Sequence, residues 1–247
     1  MRVRARCFVV ASLCLLCSAV AAFAQDERRV VSPDGQMEFR LFVGHDGYLS
    51  RLAYAVNYQG KPLLETSFLG FDIKNQEPML GENVGLVTSH TASEGRFNTL
   101  VAEFMQNGSL GRRIDVEVRA YNDGVAFRYK LPRSGPLQEL FVRDEITEFA
   151  LPKGAEIEGT GMRTMPVTAS LSGVGFLEIA QVKSSDYPRA RLEIESGTIL
   201  ITRLPRREDD PNLAWASSTP MVFPWHAVIV ATTREKLAQS PTLNDLN

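Results

Sequence analysis

Three histidines, at positions 45, 90 and 226, are the residues best suited to moving protons near neutral pH. They lie far apart along the chain, so a metal site or a nucleophile–base–acid triad would have to be assembled by the fold. No H-E-x-x-H, G-x-S-x-G, phosphate-cradling glycine loop or EF-hand spacing occurs. Carboxylates are plentiful, and two of them flanking one sugar would suit glycoside hydrolysis. Glu178, Asp186, Glu193 and Glu195 belong to segments where the solvent face of a strand accounts for them. Trp215, Trp225, Tyr187 and Tyr121 offer flat rings that either stack on sugars or fill a core. His45 falls in an expected turn and should face solvent. Residue types alone therefore permit acid–base chemistry on a sugar without locating it.

The thiols are confined to the first residues. Arg2, Arg4 and Arg6 precede an apolar run from Phe8 to Val20, and Ala22-Phe23-Ala24 supplies small residues before the polar Gln25-Asp26-Glu27. This is the pattern of a secretory leader cleaved after Ala24, with an apolar run too short for a spanning helix. Cys7, Cys14 and Cys17 all leave with it, which excludes disulfides, cysteine nucleophiles and thiolate zinc sites from the exported chain. Three basic residues and no acidic ones leave too, so the overall charge of −2 becomes −5 on the remaining 223 residues. A chain of that length can bury enough core to dispense with disulfides.

Composition sets the class. With 44% hydrophobic and 23% charged residues the chain is an ordinary globular protein, and no stretch gathers Lys and Arg on one face, which argues against nucleic acid.

The elements that must position these side chains read as strand and turn. Residues 37–43 and 49–58 alternate in polarity around a turn at Gly44 to Gly47, and Gln59-Gly60-Lys61-Pro62 closes the pair. Leu100 to Gln106 and Ile114 to Ala120 flank Asn107-Gly108, a favoured hairpin turn, and Asn122-Asp123-Gly124 leads into Val125 to Leu131. There, Val125, Phe127 and Tyr129 share one face, while Ala126, Arg128 and Lys130 share the other. Further strands are expected at 175–182, 190–195, 198–204 and 225–231. One helix is expected, Thr233 to Gln239, capped by Thr232 or Thr233 and stopped by Ser240-Pro241. Pro205 to Pro211 reads as a solvated loop. Many short strands without a fixed-period repeat indicate an all-β sandwich.

Several segments in order resemble the N-terminal domain of glycoside hydrolase family 97. They are Val31-Ser32-Pro33-Asp34-Gly35, Gly47-Tyr48-Leu49, and Tyr58-Gln59-Gly60-Lys61-Pro62-Leu63-Leu64 running into Ser67-Phe68-Leu69-Gly70-Phe71. The most specific is Arg119-Ala120-Tyr121-Asn122-Asp123-Gly124-Val125-Ala126-Phe127-Arg128-Tyr129. Glu145-Ile146-Thr147-Glu148-Phe149, Asp186-Tyr187-Pro188 and Pro224-Trp225 follow, with 243–247 resembling the exit from the domain. The resemblance covers residues 25–247 and implies a β-supersandwich like that of galactose mutarotase, packed against a (β/α)8 barrel that carries the catalytic groups. It implies α-glucosidase or α-galactosidase activity for the full-length family, and a periplasmic setting. The barrel is expected to begin near Asn247, so the resemblance implies a domain without its barrel and no catalytic residues of its own.

The resemblance also singles out residues. The glutamate that binds calcium in some members falls on Gln181, a neutral ligand weaker than a carboxylate, so no metal is expected. Glu178 lies three residues earlier, on the opposite strand face. Gln181, Asp186, Tyr187 and Arg128 are the candidates for contact with carbohydrate or with a barrel; Arg128 also suits an ion pair. The family's Trp-Arg pair is here Trp225-His226. The expected roles are sugar binding, association with a separately made barrel, a truncation product, or a structural partner protein. A mutarotase-like enzyme is a further alternative, requiring one of the three histidines beside a carboxylate. Apolar surface where a barrel would dock implies self-association.

Overall fold

The computed structural model describes residues 27–108 and 111–246; the expected leader lies outside them. The chain begins with β1 (Arg28–Val31), β2 (Met37–Asp46), β3 (Leu49–Tyr58), β4 (Lys61–Phe68) and β5 (Phe71–Ile73). Three long strands follow, β6 (Val84–Ser93), β7 (Phe97–Gln106) and β8 (Arg113–Tyr121), then β9 (Gly124–Leu131), β10 (Glu139–Glu145) and β11 (Glu148–Ala150). The next elements are β12 (Glu156–Ile157), β13 (Arg163–Thr164), β14 (Val167–Leu171), β15 (Gly175–Gln181), β16 (Arg191–Ser196) and β17 (Ile199–Arg203). β18 (Trp215–Ser218), β19 (Met221–Val222) and β20 (His226–Ala231) precede two short helices, α1 (Arg234–Leu237) and α2 (Pro241–Leu246).

All strand pairings are antiparallel. A nine-stranded sheet runs β12-β14-β15-β20-β9-β8-β7-β6, with β19 paired to β9; three smaller sheets are β1-β2-β3-β4, β18-β10-β5 and β11-β17-β16-β13. The large sheet turns one face onto the smaller ones: Phe127 on β9 lies 4.9 Å from Tyr54 on β3 and 6.2 Å from Phe149 on β11, and Tyr129 lies 4.8 Å from Phe71 on β5. The architecture is an all-β sandwich, and alternation along β9 produces it by sending Val125, Phe127 and Tyr129 inward and Arg128 and Lys130 outward.

Turn chemistry explains where strands end. Gln59 and Gly60 both take positive φ (52° and 74°), the twist a two-residue hairpin needs, and join β3 to β4. They open a strand as well as closing one: Lys61–Phe68 pairs with β3, and Pro62 is tolerated because β4 is an edge. Gly124 serves a different purpose from conformational freedom. Its φ is not positive, and a Cβ there would stand 2.7 Å from the carbonyl oxygen of Val228, so the glycine lets β9 and β20 approach. The hairpin expected at Asn107-Gly108 is longer, running from Gln106 to Arg113, because Gln106 N–H is taken by Arg112 O and the fully buried Arg112 is drawn in to Pro78 O at 2.6 Å.

At the C-terminal end, α1 is shorter than expected. It closes at Leu237 with Ala238 as its C-cap, ahead of the expected Ser240-Pro241 stop, and Pro241 instead begins α2, at the first helical position where its missing N–H costs nothing. The two helices cover one end of the outer face of the large sheet through Leu237, Leu243 and Leu246, against Tyr121, Trp225 and Ile229. Asp123, in the β8–β9 turn, accepts hydrogen bonds from Ser240 Oγ and Thr242 Oγ1 and fastens them. Among the described residues no helix is long and apolar enough to cross a membrane.

Candidate functional site

The polar centre of the molecule is built from strand ends. Glu145 closes β10 and Thr147 follows it; Tyr129 comes from β9, His226 opens β20, and Tyr187 arrives on the loop after β15. Tyr129 Oη and Thr147 Oγ1 are 2.6 Å apart, and Thr147 Oγ1 donates to Glu145 Oε1 at 2.7 Å. His226 Nε2 donates to the same oxygen at 2.7 Å, while Tyr187 Oη donates to Oε2 at 2.7 Å. Three donors thus converge on one carboxylate. Thr202 Oγ1 donates to Glu145 O and accepts from Thr147 N–H, locking the backbone behind it.

Burial drives the Glu145 carboxyl upward, but the charge of His226 and the hydrogen bonds from His226, Thr147 and Tyr187 outweigh it and hold the group below its ordinary range. Tyr129 and Tyr187 are pushed well above the usual phenol range by burial and by the Glu145 charge. They stay protonated donors. Glu145 and His226 are each 1% exposed, and Phe127 and Phe149 pack on the imidazole with ring centroids at 5.5 and 6.0 Å. A sugar ring has no access to this pair, so the carboxylate–histidine couple is arranged as a structural charge centre.

One feature of that centre is incomplete. Gln181 sits directly across from His226 in the β15–β20 register. Its Oε1 accepts from Ala190 N–H at 2.9 Å and so ties down the loop that carries Asp186 and Tyr187. Gln181 Nε2 and His226 Nδ1 are both buried without a partner among the described residues.

The four candidate residues occupy three settings. Gln181 and Tyr187 face inward at the polar centre. Asp186 is exposed on the intervening loop, its carbonyl accepting from Trp215 Nε1 at 2.6 Å. Arg128 lies on the other face of the large sheet, where Nε donates to Glu117 Oε2 at 2.8 Å, Lys130 Nζ reaches the same oxygen at 2.7 Å, and the guanidinium sits 4.3 Å from the Trp225 ring. Arg119 lies 4.7 Å from the Trp225 ring. The ring is therefore held by two cations on a half-buried outer face.

Glu145, Thr147 and Tyr129 stand in the quoted motifs, but sequence reasoning gave them no role. Little local signal marks them, because Glu145 follows the charged Arg143 and Asp144 and Thr147 precedes Glu148, so their inward placement does not stand out in the sequence. His45 and His90 are exposed, His45 at the end of β2 rather than in the turn. Glu178 shares the outer face with Phe176, opposite Gln181 as expected, and burial raises its carboxyl.

The residues present do not fit a calcium site. The amide oxygen of Gln181 is engaged by a backbone N–H, its free atom is a donor, and no group of three His, Cys, Asp or Glu is gathered to hold a metal among the described residues.

Residues 30–158, just over half of the chain, match the family model described as "Glycosyl-hydrolase 97 N-terminal". A curated relative, a retaining alpha-galactosidase of Bacteroides thetaiotaomicron, is 28% identical over 155 residues, covering 57% of this chain and 21% of its own length. A glycoside hydrolase family 97 enzyme from Pseudoalteromonas sp. strain K8, solved with acarbose, superposes with a TM-score of 0.77 at 18% identity over 89% of this chain and 38% of that one. A beta-arabinopyranosidase superposes with a TM-score of 0.70 at 21% identity, over 83% of this chain and 40% of that one. The chain thus spans about a fifth of the curated relative and about two fifths of the solved enzymes.

Proposed function

Since this chain belongs to the glycosyl-hydrolase 97 N-terminal family, we propose that it works as an exported, carbohydrate-associated β-sandwich that packs against a glycosidase barrel or binds sugar and is not catalytic by itself. The observation that carries the reading is the sealed Glu145–His226 pair. It joins a histidine to a carboxylate yet offers substrate no approach, which weighs against a mutarotase-like enzyme inside the sandwich. Asp186, exposed beside Trp215, is the candidate residue placed to meet a sugar or a barrel surface. Export after cleavage at Ala24 belongs to the same reading and rests on the leader pattern.

The test uses the exported chain alone and mixed with a separately made family 97 barrel. The readouts are hydrolysis of aryl α-galactosides and α-glucosides, sugar mutarotation by polarimetry, and co-elution. No turnover by the chain alone, together with co-elution with the barrel or saturable oligosaccharide binding weakened by Asp186→Ala, is the expected result. Turnover by the chain alone, or neither partner bound, overturns it.

A further inference from the structure

Among the described residues, every edge strand of the four sheets except β6 is blunted against pairing with another chain. β12, β13, β19, β5 and β11 are two or three residues long, and β18 has four. β1 carries Arg28 and Arg29; β4 carries Lys61, Pro62 and Glu65. Charges, proline and shortness are the usual means of keeping an edge unpaired.

β6 has none of them. It is ten residues long, reads Val84-Gly85-Leu86-Val87-Thr88-Ser89-His90-Thr91-Ala92-Ser93, and contains no Lys, Arg, Asp, Glu or Pro. Its one irregularity lies between Leu86 and Thr88, leaving Thr88 to Ser93 in unbroken register with β7. Val87 is 53% exposed, and most of the strand beyond it is open to solvent. Because Glu94 N–H donates to Phe97 O, alternation turns the backbone groups of Thr88, His90 and Ala92 toward β7 and those of Ser89, Thr91 and Ser93 outward.

A second observation lies beside this edge. A groove of about 420 Å³ separates it from β1, lined by Val30, Val31, Thr91, Ala92 and Asn98 among others. Asn98 Nδ2 donates to Val31 O, but Asn98 Oδ1 is buried with no partner among the described residues. Thr91 stands across from Leu100 of the core, so Ser89, Thr91 and Ser93 share the face that looks into the groove, and Ser89 Oγ there accepts from Arg28 Nε at 2.9 Å.

We propose that β6 is a self-association edge, pairing antiparallel with β6 of a second copy about a two-fold axis at Thr91 to make one sheet continuous through both molecules. A two-fold axis makes an uncharged strand its own complement. It sets Ser89 against Ser93 of the copy, with the small hydroxyl side chains of both strands on the groove side of the sheet. Arg28 and Arg29 of β1 stand beside the edge, so a basic strand is repelled, whereas β6 of a second copy brings only neutral side chains, and its Ser93, set against Ser89, can accept from the Arg28 guanidinium as Ser89 does.

Sedimentation velocity of the full exported chain, from low concentration up to about 300 µM, tests this, since pairing through one strand makes a small interface and a weak dimer. Monomer and dimer should interconvert with concentration. Thr91→Pro, which removes an outward N–H, and Thr91→Lys, which opposes like charges across the axis, should each weaken association at least about tenfold. Circular dichroism and the thermal midpoint report whether each variant keeps its fold; if Thr91→Pro does not, Thr91→Lys decides alone. A parent that stays monomeric throughout, or a folded Thr91→Lys variant that dimerises like the parent, overturns the proposal.

Discussion

The carboxylate of Glu145 receives the Nε2–H of His226 at 2.7 Å although the two residues are 81 positions apart, and each is 1% exposed. The couple joins the three-stranded sheet to the nine-stranded one at the centre of the core. Removing one member leaves the other buried without its counter-group, a loss of about 3–5 kcal/mol. Urea unfolding of Glu145→Gln and His226→Ala should show decreases of that order, and the double variant should cost less than the two singles added together. Additive losses would mean the two groups act independently. The same carboxylate gives the fold an acid limit: its folded pKa lies below the ordinary 4.5, so the stability it contributes is present above that value and is lost as pH falls through the folded one.

Asp115 works in the opposite sense. Burial raises its carboxyl to about 6, against a smaller downward pull from Arg113. The folded chain then keeps a proton that the unfolded chain releases, so stability falls as pH climbs from about 4 to 6. Asp115→Asn should flatten that slope and raise stability at pH 7 by about 1–2 kcal/mol, discounted for its remaining contact with solvent. Urea midpoints at pH 4.5 and 7 for parent and variant decide it; equal slopes would refute the assignment.

Gly124→Ala should be among the most damaging single-methyl changes in the chain. The new Cβ meets backbone, the Val228 carbonyl oxygen at 2.7 Å, which cannot rotate away. Separating β9 from β20 should cost about 2–3 kcal/mol, read as a lowered thermal midpoint. An unchanged midpoint would show that the strands yield freely.

Asp123→Ala should loosen both helices while sparing the sandwich. It removes the acceptor for Ser240 Oγ and Thr242 Oγ1, worth about 1–2 kcal/mol as a lost cap. Amide exchange should quicken across residues 234–246 and stay unchanged in β8 and β9. Uniform quickening would mean that the helices unfold only with the whole domain.

Sequence patterns located most of the strands because their information is local. Alternation in residues 37–43 and 125–131 states which side chains face inward, and Gln59-Gly60 states where a chain reverses. What escaped depends on distant partners. Nothing beside Asn107-Gly108 shows that Arg112 is drawn to Pro78 O, lengthening the loop. Pro241 is read as a helix stop, whereas α1 closes earlier, at Leu237, and the role of Pro241 in opening α2 goes with Asp123 being in place to hold Ser240 and Thr242. Glu145 and Thr147 look like a surface pair until His226 and Tyr187 are brought onto them. Four of the seven residues of β10 are charged and its register shifts between Val142 and Asp144, so no local pattern singles out Glu145. The family resemblance carried the fold beyond what spacing gave, but it left Gln181 without its partner across the sheet.

The placement of the two tryptophans gives the unlabelled protein a pair of optical reporters. Trp225 is buried beside the guanidiniums of Arg119 and Arg128 on the outer face of the large sheet; Trp215 packs edge-on to Tyr187, with its ring centroid 5.1 Å away, beside the Asp186 loop. The sequence holds no other indole. Emission from Trp225 responds to any event that shifts either cation, whereas Trp215 responds to movement of the loop. Replacing one indole at a time with phenylalanine would assign a change in colour or intensity to one side of the molecule, without a dye and at nanomolar quantities of chain.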